Sequence, residues 1–97
     1  MKPIQNKKLQ DLKNVGKATL QDLHILDIYS VEDLADHDAT ELFHKLEMLT
    51  NKRQDPCVWD VFAAIIHEAK TGEATVWWKW TDQRKTLQRT GKLPHIV

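Results

Sequence analysis

The chain has 97 residues, a formal net charge of zero, 41% hydrophobic residues and one cysteine. At this length a domain buries roughly two-thirds of its unfolded surface, enough for one modest core. No apolar run is long enough to cross a bilayer, residues Met1 to Lys8 lack the pattern of a signal peptide, and Cys57 alone cannot form an internal disulfide, so a cytoplasmic location without membrane contact is expected.

The zero net charge conceals a segregation. Residues 1–26 carry five lysines against two aspartates, a net +3. Residues 27–69 carry three cations against ten carboxylates, a net −7. Residues 70–97 carry six cations against two carboxylates, a net +4. Two basic ends around an acidic middle allow a local anion-binding surface, although solubility alone would give the same pattern.

Leu9 and Leu12 stand at helical spacing and predict a first helix from Ile4 or Asn6 to Lys13. Asn14 and Gly16, the residue types most tolerant of positive φ, then predict a very tight turn, with Val15 pointing into the joint. A second helix follows at once from Lys17 to about Leu26, carrying Leu20, Leu23 and Leu26 on one stripe. Asp27 stands where a C-terminal glycine is usual. Ser30-Val31-Glu32-Asp33 reads as a cap with an acidic residue three places on, opening a short helix through Ala35. Asp38-Ala39-Thr40-Glu41 repeats that signature and opens a helix with Leu42, Phe43, Leu46 and Leu49 inward and Asn51 as a left-handed stop.

Asp55-Pro56 is the clearest helix start, with Asp at the N-cap and Pro at the first helical position. The helix that follows places Cys57, Val58, Val61, Phe62, Ile65, Ile66 and Ala69 at core spacing, and Gly72 ends it. Thr75-Val76-Trp77-Trp78-Lys79-Trp80-Thr81 suits an extended or irregular segment, and residues 87–97 read as partly disordered. The fold class is therefore all-α, a compact bundle of about five helices. Residues 1–71 form the helical domain, and residues 72–97 form a Trp-rich basic tail partly packed on it.

The first turn carries the main functional reading. A helix that starts directly after a tight turn leaves the amides of Gly16, Lys17 and Ala18 free at the positive end of its dipole, which makes an anion site. Lys13 and Lys17 add charge, Thr19 adds a hydroxyl donor, and Asn14 and Val15 shape the turn. Lys52 and Arg53 precede a second helix start and offer a secondary contact, although an ordinary solvated loop explains them as well. In the tail, Lys79, Arg84 and Lys85 lie beside Trp77, Trp78 and Trp80, which could stack on bases or on a partner. The plainer reading is that these tryptophans fold back to complete a small core, with one of them left exposed.

Other chemistry is weakly signalled. Cys57 sits in the first turn of its helix, where the dipole lowers a thiol pKa, but it also falls on the core stripe. His24, His37, His44, His67 and His95 show no paired ligand spacing, so neither metal nor cofactor is expected. Asp36 and Asp38 invite comparison with DNA glycosylases, which place an aspartate downstream of a similar turn. Asp38 is better explained as a cap, and no nucleophile set or phosphate loop stands out, so no enzymatic activity is expected.

Leu12 through Leu34 resembles the helix-hairpin-helix motif, which grips nucleic-acid backbone phosphate, and Asp22 to Leu34 matches its usual second helix, turn and capped third helix. Together with the block Leu49 to Phe62 and the segment Trp77-Trp78-Lys79-Trp80-Thr81, residues 8–85 resemble a family of small bacterial proteins labelled "pathogenicity locus" or "mitomycin resistance". The resemblance implies an all-α fold with tandem helix-hairpin-helix, SAM-like character, the turn at Leu49 to Pro56 being a degenerate second copy. Two departures matter: Asn14 replaces the first hairpin glycine, and Asp27 replaces the glycine after the second helix. Asn accepts the left-handed conformation, but its side chain would hinder close approach of a phosphate.

The function that follows is sequence-independent DNA binding through the hairpin, as an accessory in DNA repair or maintenance. The rival is a protein-interaction module that uses the same helices without DNA. The two differ in where the charges fall. Lys13, Lys17, Lys52, Arg53 and the tail cations on one face favour DNA, while carboxylates around the hairpin favour a protein partner.

Overall fold

A computed structural model describes residues 7–91. It contains α1 (Lys17–Ile25), α2 (Val31–Ala35), α3 (Ala39–Thr50), α4 (Cys57–Thr71) and α5 (Thr81–Arg89), with 3-10 turns at Leu9–Asp11 and Trp77–Trp80. The described residues are all-α and include no strand. None of these helices is long and apolar enough to cross a membrane.

The longest helix, α4, is the axis of the core. Trp59, Phe62, Ala63, Ala64, Ile65, Ile66 and Ala69 are all buried on it, so it is covered on nearly every side. Helices α2 and α3 pack on it, as do the Trp77–Trp80 turn and α5, while α1 packs on α3 and on the first 3-10 turn. Leu23, Leu34, Leu42, Leu46, Phe62 and Ile65 are completely shielded. Each such side chain contributes on the order of 1.5–3 kcal/mol by leaving water.

The helix ends follow local side-chain chemistry. Ser30 Oγ accepts the Asp33 amide at 3.0 Å. The Asp38 carboxylate accepts the Glu41 amide at 3.1 Å, and Glu41 reaches back to the Asp38 amide at 3.4 Å. At the end of α1, Asp27 adopts φ 64°, a conformation usually left to glycine. The turn is held by Ile28 N–H donating to Leu23 O at 2.8 Å and Asp27 N–H to His24 O at 3.0 Å, with Ile28 and Leu23 buried together. Asn51 (φ 54°) and Gly72 (φ 81°) stop α3 and α4 in the same left-handed region.

Four expectations need correction. The first helix is, over the described residues, only the 3-10 turn Leu9–Asp11, because Leu12 is extended (ψ 142°) and breaks the ladder. Leu49 is 55% exposed and not part of the inward stripe of α3. Cys57 is half-buried, Val58 and Val61 pack on the core while only partly covered, and the polar Asp60 and Glu68 are fully buried. The tail is helical from Trp77 to Arg89, not extended, because α5 is anchored through Arg84 to Asp60. Of the segment 87–97, Leu87 packs on the core and residues 92–97 lie outside the described residues, as does His95.

Candidate nucleic-acid interface

The turn before α1 is fastened from behind by two contacts. Glu68, buried in the last turns of α4, accepts the Lys13 amide at 2.9 Å and the Lys7 ammonium at 3.1 Å. Asn14 adopts φ 75°, and its side-chain amide donates to Thr75 O at 2.7 Å. That bond corrects the expected obstruction: the Asn14 side chain is directed at the protein, not at the amides of α1. Val15 closes the turn through Leu12 O at 3.2 Å and packs against the core.

Gly16 sits at φ −94°, ψ −173°, extended backbone open to any residue, so the expected need for positive φ does not apply to it. A Cβ at Gly16 would meet nothing within 4 Å. No side chain caps the start of α1. The amides of Lys17, Ala18 and Thr19 therefore begin the helix without an intrahelical partner. Lys13, before the turn, and Lys17, after it, are exposed, and Thr19 is half-buried.

The second turn is built differently. Asp55 Oδ1 accepts the Cys57 amide at 2.9 Å and so places a carboxylate at the start of α4, where a phosphate would otherwise go. Glu47 accepts the Gln54 amide at 3.0 Å. Lys52 and Arg53 are exposed in this loop. They precede Cys57, whereas the first turn is tied to Glu68, so the two lie at opposite ends of an α4 segment about 16 Å long.

The tail cations divide as well. Lys79 and Lys85 are exposed. Arg84 is turned inward, with Nε donating to Asp60 Oδ1 at 2.9 Å and Nη2 to Asp60 Oδ2 at 3.3 Å, and its side chain is only 12% exposed. Thr81 Oγ1 donates to the same carboxylate at 2.8 Å. Held this way, Arg84 has no free charge to offer a nucleic acid. The tail tryptophans are mixed: Trp78 is exposed, Trp77 is half-buried, and Trp80 packs on the core and donates to Thr75 Oγ1 at 2.9 Å.

The sequence profile of the family described as "Pathogenicity locus" matches residues 3–86. The chain belongs to that family. It is also 30% identical over 79 residues to a mitomycin resistance protein, McrB, of Streptomyces lavendulae, covering 81% of this chain and 75% of the relative. No solved structure matches.

The matched span of this pathogenicity-locus protein includes the residues that composition and spacing did not single out: Asp22, Asp60, Glu68 and Thr75. Asp60 and Glu68 look like surface letters on a helix, and only their burial reveals them as anchors. Burial pushes the Cys57 thiol up, helped by the neighbouring Asp55 and Asp60 carboxylates, so the helix start does not activate it. His24 stacks on Tyr29, His37 meets Glu41 at 3.3 Å, and His67 meets Glu73 at 2.6 Å. Among the described residues no group of three or more His, Cys, Asp or Glu side chains could hold a metal ion.

Proposed function

We propose that this protein is a sequence-independent DNA-binding module of the cytoplasm, an accessory in DNA repair or maintenance that uses its first turn as a helix-hairpin-helix phosphate clamp. The observation that carries the reading is the opening at Gly16. Neither backbone angle nor neighbouring atoms require a glycine there, yet its missing side chain leaves the uncapped amides of α1 open to an approaching anion. Lys13 and Lys17 supply charge, and Lys52, Arg53, Lys79 and Lys85 remain exposed for secondary contacts. Phosphate contacts of this kind position a protein without reading sequence. A binding role is preferred over a catalytic one because burial pushes the Cys57 thiol up and Asp38 is engaged as a helix cap.

A protein-interaction role is the second reading. It is favoured by Met48 and Leu49, 81% and 55% exposed side by side on α3, and by the separation of Lys52 and Arg53 from the first turn.

Fluorescence anisotropy of labelled single- and double-stranded DNA at several salt concentrations separates the two. The clamp predicts dissociation constants of about 10⁻⁴–10⁻⁶ M and a duplex log K falling by about 0.9 per contacted phosphate per decade of salt. Gly16→Val, folded by circular dichroism, should lose that binding. Unchanged binding in the folded variant refutes the clamp, and no binding by the wild type at low salt supports the interaction role.

A further inference from the structure

Between α1 and the N-terminal half of α4 lies a cleft of about 220 Å³. Val58 and Phe62, the Cys57 thiol and the Trp77 indole give it an apolar lining. Thr19 and Asp22 enter it from α1, three residues apart on one helix face. The Asp22 carboxylate makes no hydrogen bond or ion pair with the described residues, and burial alone pushes its pKa up. Asp22 is half-buried, so its carboxylate stands at the edge of an apolar wall and remains open to a ligand with N–H donors.

The ligand is defined by three features. The half-buried indole of Trp77 gives the cleft an aromatic surface suited to a planar ring. The volume falls below the roughly 300–1,000 Å³ of sites for drug-sized molecules, so one base fits and a base pair does not. The two carboxylate oxygens accept two parallel donors. Guanine presents N1–H and the 2-amino group side by side on its Watson–Crick edge. Adenine and cytosine present one amino group next to an acceptor nitrogen, and thymine sets its single N–H between two carbonyls. Thr19 lines the cleft and is also the third residue of α1, so the cleft and the amide opening share the start of that helix.

We propose that this cleft receives an unpaired guanine base, its ring against Trp77 and its Watson–Crick edge on the Asp22 carboxylate. The proposal rests on the clamp reading for the strand that delivers the base. A guanine already paired in a duplex cannot enter, so the site favours single-stranded or opened DNA. Phosphate contact remains indifferent to sequence, and the cleft adds a bias for one base.

The test is a titration of the full chain, ¹⁵N-labelled at tryptophan, with deoxyguanosine, deoxyadenosine and deoxyguanosine 5′-monophosphate, read at the Trp77 indole N–H. Deoxyguanosine should shift that signal with an affinity roughly tenfold above deoxyadenosine, the discrimination of one bidentate pair. Asp22→Asn should reduce deoxyguanosine to the adenine level while Trp77 itself stays in place. The monophosphate should bind more tightly than the nucleoside in the wild type and equally in Gly16→Val. Equal response to both nucleosides, no response, or full guanine preference in Asp22→Asn overturns the cleft proposal and leaves the clamp to the anisotropy experiment. A guanine response that gains nothing from the phosphate upholds the cleft and refutes the clamp. A shift by N-acetyl-arginine amide without one by deoxyguanosine makes the cleft a protein-docking site and overturns the proposal.

Discussion

Replacing Arg84 with Met tests whether α5 is held by charge or by packing. The guanidinium makes two bonds to Asp60, at 2.9 and 3.3 Å, and Asp60 is 0% exposed in the first turn of α4. Methionine keeps much of the apolar stem but leaves that carboxylate with the Thr81 hydroxyl alone. Asp60 cannot follow its lost partner into water without breaking the core. Removing one member of a buried pair costs about 3–5 kcal/mol, a large part of the roughly 5–15 kcal/mol that holds a domain of this size together. At about 4–8 °C per kcal/mol, the melting temperature should fall by on the order of 20 °C.

The reciprocal change, Asp60→Asn, should cost less, about 1.5–3 kcal/mol, because Arg84 sits on a surface helix and can swing out to water. Urea denaturation of both single variants and the double variant measures the order and the coupling. The double variant should fall short of the sum by at least about 1 kcal/mol. An Arg84→Met loss below about 1 kcal/mol, or a greater loss for Asp60→Asn, would refute the reasoning.

Asn14→Gly should cost about 1 kcal/mol through the lost bond to Thr75, and Asn14→Ala about 1–2 kcal/mol more because it also sets a Cβ at φ 75°; urea midpoints give the order. Burial raises the folded-state pKa of Asp22 above 3.8, so its penalty is absent below that pH and is felt in full above the folded pKa. Asp22→Asn should therefore be more stable than wild type at pH 7, with the gap closing as the pH falls through the folded pKa towards 3.8; a pH-independent gap in thermal unfolding would contradict this. Because the Cys57 thiol is pushed up, iodoacetamide at pH 7.5 should modify the folded chain more slowly than the urea-unfolded chain, as mass spectrometry would show.

Much of the fold was written in local chemistry. The Ser30 and Asp38 caps, the Asn51 and Gly72 stops and the leucine stripe of α1 depend on neighbours within a few residues, and each stands where its pattern placed it. The tail was hidden because α5 has no apolar stripe and no buried residue; its anchor is an ion pair across 24 positions. The same blindness hid Glu68, whose partners at Lys7 and Lys13 are 61 and 55 positions away. At the candidate site, Asn14 is readable as a left-handed residue, but its bond to Thr75 is not, and Gly16, a residue type associated with positive φ, adopts extended backbone instead. Arg84 counted as a surface cation because a sequence shows charge and not where the charge is directed.

The two carboxylates on α4 also set an order of assembly. Glu68 can be matched as soon as its own helix is made, since Lys7 and Lys13 come earlier in the chain, but Asp60 must wait for Arg84. During synthesis, which delivers the N-terminal part first, α4 therefore emerges with an unmatched charge on its core side. A nascent chain stopped between Gly72 and Arg84 carries all the fully buried aliphatic side chains but still lacks Arg84 and Leu87, which close over them. Formation of α5 thus closes the core, and chains stopped short of Arg84 should be digested faster by a protease than the full chain.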